Sequence, residues 1–304
     1  MSDNIIEHLG KGAVRQPEDP RDLQAAFVLG APVVDWSKEF RQPEPPNEDQ
    51  GSSGSCVAQA WSYFHFQVHP LNWSRRDLYS RIFLPQSGAY LRDGGKQIKA
   101  NGQATRDQAP DPSPETEAHM RSKDGITADM ERIGLEADYL AVNGKSIDAV
   151  ATAIVGAKGC VIGVEGTNAG WRDIANPRPP QDGDPGVIWG HALYCFGYHT
   201  HDGVKCVIAK SSWGDDGGTT VHHIKQNYFD SGFTFDGWTL IPKEQQPLYA
   251  RYIVFHKPTG RQGILVVGET GFADAILWAK SEAMLADLKT QYEIPANAPT
   301  ITLG

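Results

Sequence analysis

Apolar side chains recur at the spacing of an α-helix shortly after the first fifty residues. The positions on this face are Val57, Ala60, Trp61, Phe64 and Val68. This spacing predicts a helix that begins near Cys56. Similar periodicity predicts two further helices, over residues 71–84 and 146–155. We therefore expect this first part of the chain to be largely helical.

Beyond residue 158 the pattern changes to short apolar runs that are separated by turn residues. Such runs are typical of buried β-strands. We predict strands at residues 159–165, 188–198, 204–209, 220–224 and 239–241. A helical half that is followed by a sheet half predicts an α+β fold with two lobes. The cleft between the lobes is the expected place for a functional site.

The end of the chain carries a separate pattern. Two apolar runs, a helix over residues 272–288 and a final apolar run predict a small strand–strand–helix–strand unit. The predicted helix has one side suited to packing, formed by Ile276, Ala279, Ala283 and Ala286. We therefore predict an N-terminal arm (1–29), a main domain (30–245) and a C-terminal appendage (246–304) for docking or assembly.

A glycine-rich loop precedes the first predicted helix and holds the residues best suited to chemistry. Cys56 falls at the helix N-terminus, where unpaired N–H groups and the helix dipole favour the thiolate, the nucleophilic form of cysteine. Gly51 and Gly54 allow the backbone to turn tightly. Gln50 offers an amide that can donate to an oxyanion. A structural turn before a buried, inert thiol is the alternative that this loop alone leaves open.

Three stretches resemble sequences of the papain-like cysteine peptidases. Residues 50–56, Gln-Gly-Ser-Ser-Gly-Ser-Cys, resemble the nucleophile loop, with Ser53 in place of a common disulfide cysteine and Val57 in place of a common aromatic residue. Residues 190–198 begin with Gly-His-Ala and end with Gly-Tyr, which resembles the histidine strand. Residues 211–214, Ser-Ser-Trp-Gly, resemble the family's Asn-Ser-Trp-Gly. The three stretches follow the order of the family with similar separations.

The resemblance covers residues 30–245 and implies a two-lobed papain-like fold with defined roles. Cys56 would be the nucleophile and His191 the general base. Gln50 would form the oxyanion hole together with the backbone N–H of Cys56. Ser211 stands where the family has an asparagine that orients the imidazole, which implies a slower enzyme. Four residues would line the substrate cleft: Gly94, Gly95, Gly190, and Trp213 on the leaving-group side. A plain turn is the alternative for the two paired glycines.

Composition and charge argue against several other classes of protein. The formal charge of −9 and the lack of a basic cluster argue against nucleic-acid binding. No apolar run approaches the length that spans a bilayer, and the N-terminus lacks the pattern of a signal peptide. No cofactor and no metal site is expected, since the pair His222-His223 lacks further ligands at suitable spacing.

The cysteines and the N-terminal region add two expectations. The four cysteines show no disulfide framework, so we expect a reducing compartment, cytoplasmic or within a viral particle. A disulfide bridge between Cys195 and Cys206, which lie on neighbouring predicted strands, is an alternative that the sequence leaves undecided. Residues 1–29 are shorter than the helical inhibitory propeptide of the family. We therefore expect that something other than such a propeptide restrains an active enzyme.

These observations leave two main hypotheses about function. The first is a cysteine peptidase or related amidase that hydrolyses peptide bonds in a peptide or protein substrate. The second is a papain-like fold with weak or no activity that serves as a binding or structural component of a larger assembly, with a protein partner on the appendage. Ser211, the missing propeptide and the appendage motivate the second hypothesis. A transglutaminase-like acyl transferase is a third, which the nucleophile loop disfavours.

Overall fold

The structure is a computed structural model. It describes residues 10–17, 34–135, 137–214, 220–242, 252–256, 262–267, 273–279, 281–291 and 300–302. These residues form a helical lobe, a lobe built on a large β-sheet, and a second, smaller sheet. None of the helices within these ranges is long and apolar enough to cross a membrane.

The helical lobe follows the order of the sequence prediction. Its elements are α1 (Cys56–Val68), α2 (Arg75–Ile82), the short strand β3 (Ala89–Tyr90), α3 (Leu91–Asn101) and α4 (Glu117–Arg121). The predicted start of α1 is confirmed. Helix α2 is shorter than predicted because Ser74 caps its N-terminus, where the hydroxyl accepts the N–H of Asp77 at 3.0 Å.

The sheet lobe contains the predicted strands in one antiparallel sheet. Its strands are β2 (Phe40–Arg41), β4 (Ala137–Val142), β5 (Cys160–Gly166), β6 (Trp189–His201), β7 (Val204–Lys210), β8 (Val221–Lys225) and β9 (Thr234–Pro242). The order is β4-β9-β5-β6-β7-β8, and β2 pairs with β6. Helices α5 (Ile147–Gly156) and α6 (Gln226–Asp230) complete the lobe. The pattern missed β4, whose apolar run is short.

The two lobes meet along α1 and β6. Phe64 of α1 packs edge-on against Tyr194 of β6, with ring centroids 6.2 Å apart, inside one buried cluster. The opposite face of β6 packs in a second cluster, where Leu193 joins Ile154 of α5. Because β6 is covered on both faces, its first residues are held rigidly beside the N-terminus of α1.

The second sheet corrects one sequence prediction. Its elements are β10 (Tyr252–His256), β11 (Gln262–Val267), β12 (Ala273–Ala279), α7 (Glu282–Gln291) and β13 (Thr300–Thr302), with strand order β12-β11-β10-β13. The predicted helix over residues 272–288 was wrong in its first half. Residues 273–279 form β12 instead, which pairs antiparallel with β11. A continuous apolar run does not separate strand from helix by periodicity. Docking or assembly by this sheet stays a prediction.

Candidate active site

Cys56 is the first residue of α1 and is 0% exposed. The backbone groups of Ala192, Val57, Gly12 and Ala13 lie close enough to its side chain to favour the thiolate. Ala192 directly follows His191 in β6. The thiol therefore lies against the strand that carries the predicted base.

The side-chain amide of Gln50 is fixed between the nucleophile loop and residues 211–214. Its Nε2 donates to the carbonyl oxygen of Ser53 at 2.7 Å, and its Oε1 accepts the hydroxyl of Ser212 at 2.6 Å. The backbone N–H of Gln50 donates to the carbonyl of Ser212 at 2.8 Å. Gly51 has a φ of 54°, which confirms that the turn requires glycine here. The amide nitrogen is thus held in place before any substrate binds.

His191 is oriented by stacking on Trp213. The two ring centroids lie 4.2 Å apart with an interplanar angle of 27°. Trp213 is buried and meets three further rings edge-on, those of Trp171 at 5.2 Å, Trp189 at 5.8 Å and His222 at 5.9 Å. Such aromatic packing fixes the plane of the imidazole. Trp213 was predicted at the site from the sequence, whereas the packing of Trp189 and His222 around it was not, because these two residues lie on separate strands.

Ser211 makes no hydrogen bond with His191 in the structure. Its hydroxyl and both imidazole nitrogens are buried, and none of the three has a partner among the described residues. Ser211 contributes its backbone instead, since its carbonyl accepts the hydroxyl of Tyr63 at 3.1 Å and its N–H donates to Thr220 at 2.9 Å. A serine hydroxyl is shorter than an asparagine amide, which accounts for the missing contact.

Residues 10–17, which we call the cleft segment, lie across Cys56 and His191. The N–H of Gly12 donates to the carbonyl of Gly190 at 3.0 Å, and the N–H of Ala89 donates to the carbonyl of Gly12 at 2.9 Å. Strand β1 (Ala13–Val14) then pairs in parallel with β3. The segment therefore bridges the sheet lobe and the helical lobe directly over the thiol.

The beginning of the cleft segment covers the other side of the site. The indole Nε1 of Trp213 donates to the carbonyl of Gly10 at 2.9 Å, and the N–H of Gly10 donates to the carbonyl of Gly51 at 2.9 Å. The segment thus runs from Trp213 towards β3. These residues belong to the predicted N-terminal arm, and they cover the site from its Trp213 side.

The backbone of the cleft segment lies so close to the nucleophile loop that there is no room for side chains at the points of contact. A Cβ atom on Gly12 would lie 2.2 Å from the carbonyl oxygen of Gly54, and one on Gly10 would lie 2.2 Å from that of Ser53. A Cβ on Gly190 would lie 2.1 Å from the carbonyl oxygen of Ala13. Glycine at these positions allows the close approach. Gly190 therefore lies against the cleft segment, and its role in substrate binding stays a prediction.

Burial reverses the ionisation that we predict for Cys56 from its place on the helix. It raises the pKa of the Cys56 thiol to about 12, although the backbone groups close to the side chain act in the opposite direction. Burial, followed by the charges of His222 and Lys11, lowers the pKa of His191 well below its usual value. Burial therefore favours the uncharged form of both groups while the cleft segment is in place.

The prediction that Gly94 and Gly95 line the cleft was wrong. Both lie inside α3 and face Trp61, where a Cβ atom would come within 2.3 Å and 2.6 Å of the indole, respectively. These glycines allow α3 to pack closely on α1. The backbone that pairs with the cleft segment belongs to Ala89 and Tyr90 instead. Gly88 precedes these two residues in a turn and has a φ of 79°. This glycine is the feature of the sequence that could have indicated the turn.

In the part of the chain that the structure describes, the remaining cysteines and histidines form no second centre. All four cysteines are free thiols, so the bridge left open between Cys195 and Cys206 is not formed. No group of histidine, cysteine, aspartate and glutamate side chains is arranged to hold a metal ion in the ranges that the structure describes. His222 and His223 lie in β8, as the strand prediction implied. The reducing compartment stays a prediction.

No protein-family model and no curated protein matches the chain. Solved structures do match. Xylellain, a cysteine protease from Xylella fastidiosa, has a TM-score of 0.58 and 20% identity over 77% of this chain and 97% of that chain. Digestive procathepsin L 3 of Tenebrio molitor larval midgut has a TM-score of 0.57 and 14% identity over 79% of each chain. A recombinant stem bromelain precursor has a TM-score of 0.56 and 15% identity over 80% of each chain.

The chain has the papain-like fold. This similarity confirms the α+β architecture of a helical lobe and an antiparallel sheet lobe. In this papain-like chain, Cys56 begins the first helix of one lobe and His191 lies near the start of β6 in the other. At such low identity the comparison establishes the fold, and the chemistry must be argued from the residues.

Proposed function

We propose that the chain is a papain-like cysteine peptidase that is latent while the cleft segment occupies its site. One observation carries the proposal. Cys56 lies at a helix N-terminus against the strand that bears His191, and the amide of Gln50 is fixed in the loop beside it. This is the arrangement that nucleophilic acyl transfer requires.

The residues divide the chemistry between them. The Cys56 sulfur attacks the carbonyl carbon of a peptide bond after its proton passes to His191. The nitrogen of Gln50 and the backbone N–H of Cys56 donate to the oxyanion that develops. His191 then returns the proton to the leaving amine, which leaves a thioester on Cys56 that water hydrolyses.

The direction of the cleft segment supports latency rather than self-cleavage. Trp213 borders the leaving-group side in this proposal, so a substrate places its C-terminal residues there. The cleft segment places its N-terminal residue, Gly10, beside Trp213. It therefore runs opposite to a substrate, and its own peptide bonds are not presented for attack. Displacement of the segment admits water to Cys56 and His191, which removes the cause of both pKa shifts.

Digestion of an unfolded protein by the Gly12→Ala variant tests this proposal, because the added Cβ displaces the cleft segment. We expect new amino termini in the substrate, mapped by mass spectrometry. Prior treatment with a thiol-reactive epoxide should prevent them, and a metal chelator should not. Activity that survives the epoxide, or that the chelator abolishes, would contradict the role of Cys56.

The same experiment separates the peptidase from the alternative of a binding or structural component. That alternative expects no new amino termini from the displaced variant, even when Cys56 is shown by alkylation to be accessible. The comparison needs both readouts, because an inaccessible thiol would also leave the substrate intact.

A further inference from the structure

Arg15 of the cleft segment is bound in a shallow pocket of the sheet lobe, where 42% of its side-chain surface stays exposed. Its Nε donates to Oε1 of Glu165 at 2.7 Å, and its Nη2 donates to Oε2 at 2.8 Å. The same Nη2 donates to the carbonyl of Gly232 at 3.2 Å. The ring of Phe235 faces the guanidinium carbon from 4.8 Å. A bidentate carboxylate, a carbonyl and an aromatic face together match a planar cation.

The walls of this pocket are built into the sheet lobe and do not depend on the cleft segment. The N–H of Glu165 donates to the carbonyl of Phe233 at 2.7 Å, and the carbonyl of Glu165 accepts the hydroxyl of Tyr228 at 2.5 Å. Phe235 is 1% exposed and fills space beside Gly163, where a Cβ would lie 2.3 Å from the ring. The pocket therefore keeps its shape when the segment leaves.

The charge of the pocket calls for a cation. Arg15 pairs with the carboxylate of Glu165, whose side chain is 25% exposed. Asp236 adds a second negative charge that acts on Arg15. Once Arg15 departs, Glu165 retains a negative charge in a partly enclosed pocket. Another guanidinium would restore both hydrogen bonds.

We propose that Glu165, Phe235 and the carbonyl of Gly232 form the specificity pocket of the enzyme and select an arginine of the peptide substrate. This inference rests on the proposed function. Arg15 lies two residues beyond Ala13, whose backbone contacts the Cys56 thiol, on the side away from Trp213. The selected arginine is therefore the second or third residue before the bond that is cleaved.

Paired peptides test the pocket in the variant Gly12→Ala/Arg15→Ala, whose own cleft segment cannot compete. Each pair carries arginine or citrulline at the second or the third position, because citrulline keeps the shape and removes the charge. At one position we expect kcat/KM to be about tenfold higher with arginine. Adding Glu165→Gln should make the two rates equal. The control Asp230→Asn removes a carboxylate that is not among the charges acting on Arg15, and it should keep the preference.

Equal rates for arginine and citrulline at both positions would overturn the proposal, and so would a preference that survives Glu165→Gln. If no peptide is hydrolysed, the proposed function fails and the pocket is tested by binding. The probe is a labelled octapeptide with the sequence of residues 10–17, Gly-Lys-Gly-Ala-Val-Arg-Gln-Pro. We expect the citrulline form to bind the same variant about tenfold more weakly by fluorescence anisotropy. Equal affinities would overturn the proposal.

Discussion

The Gly12→Ala variant is expected to be alkylated at Cys56 by iodoacetamide far faster than the unchanged chain at pH 7. The added Cβ would lie 2.2 Å from the carbonyl oxygen of Gly54, which is backbone and cannot move aside as a flexible side chain can. The cleft segment must therefore leave. Solvent then reaches the thiol, whose pKa burial has raised to about 12.

The size of this effect follows from the thiolate fraction. An ordinary thiol has a pKa of about 8.5, so its thiolate fraction at pH 7 is roughly a thousandfold larger than that of the buried Cys56. A more basic thiolate is somewhat more nucleophilic, which reduces the gain to about a hundredfold. Pseudo-first-order alkylation, mapped to Cys56 by mass spectrometry, measures the change directly.

A matched control separates displacement of the segment from a general effect of alanine. Nothing lies within 4 Å of a Cβ added at Gly125, so an alanine there meets no steric contact, and its φ of 73° adds only local backbone strain in that turn. The Gly125→Ala variant should keep the slow alkylation of the unchanged chain. Thermal unfolding should show that both variants are folded. Equal alkylation rates in Gly12→Ala and the unchanged chain would mean that the segment does not protect the thiol.

The His191→Ala substitution is expected to give the second large effect. In the Gly12→Ala background it should lower kcat/KM for peptide hydrolysis by about 10²–10⁴-fold, because the thiol loses its base and the leaving amine its acid. Its pH–rate profile should follow a lone thiol and rise steadily towards alkaline pH. The profile with His191 present should reach a plateau at a lower pH, where the thiolate–imidazolium pair has formed.

The Ser211→Ala substitution is the matched comparison for His191→Ala. The hydroxyl of Ser211 has no hydrogen-bond partner among the described residues, so its removal should change kcat/KM by less than about threefold. A loss as large as that of His191→Ala would show that Ser211 orients the imidazole once the cleft is open. If neither substitution lowers kcat/KM, His191 has no role in the proposed chemistry.

The fold was largely predictable from local patterns. The helical face that begins at Val57 and the apolar strand around His191 are signals of residues that are near in sequence, and both elements formed as predicted. The residues 273–279 were mispredicted because a short continuous apolar run fits a helix or a strand equally well, and pairing with β11 decides between them.

The state of the site was not predictable in the same way. Gly10, Gly12 and Arg15 belong to a stretch with no apolar periodicity, and they contact residues more than a hundred positions away along the chain. The raised pKa of Cys56 follows from its burial, and this distant segment is part of what surrounds the thiol. The paired glycines of α3 show the same limit, since nothing nearby in sequence indicates that they pack on Trp61.

The most direct test of a latent cysteine peptidase is the rate and position of covalent labelling by an epoxide that requires a histidine-assisted thiolate. The chains to compare are the unchanged protein, Gly12→Ala and Gly12→Ala/His191→Ala. We expect a single adduct on Cys56 that forms rapidly only in Gly12→Ala. Equal rates in all three chains, or an adduct on a different cysteine, would contradict it.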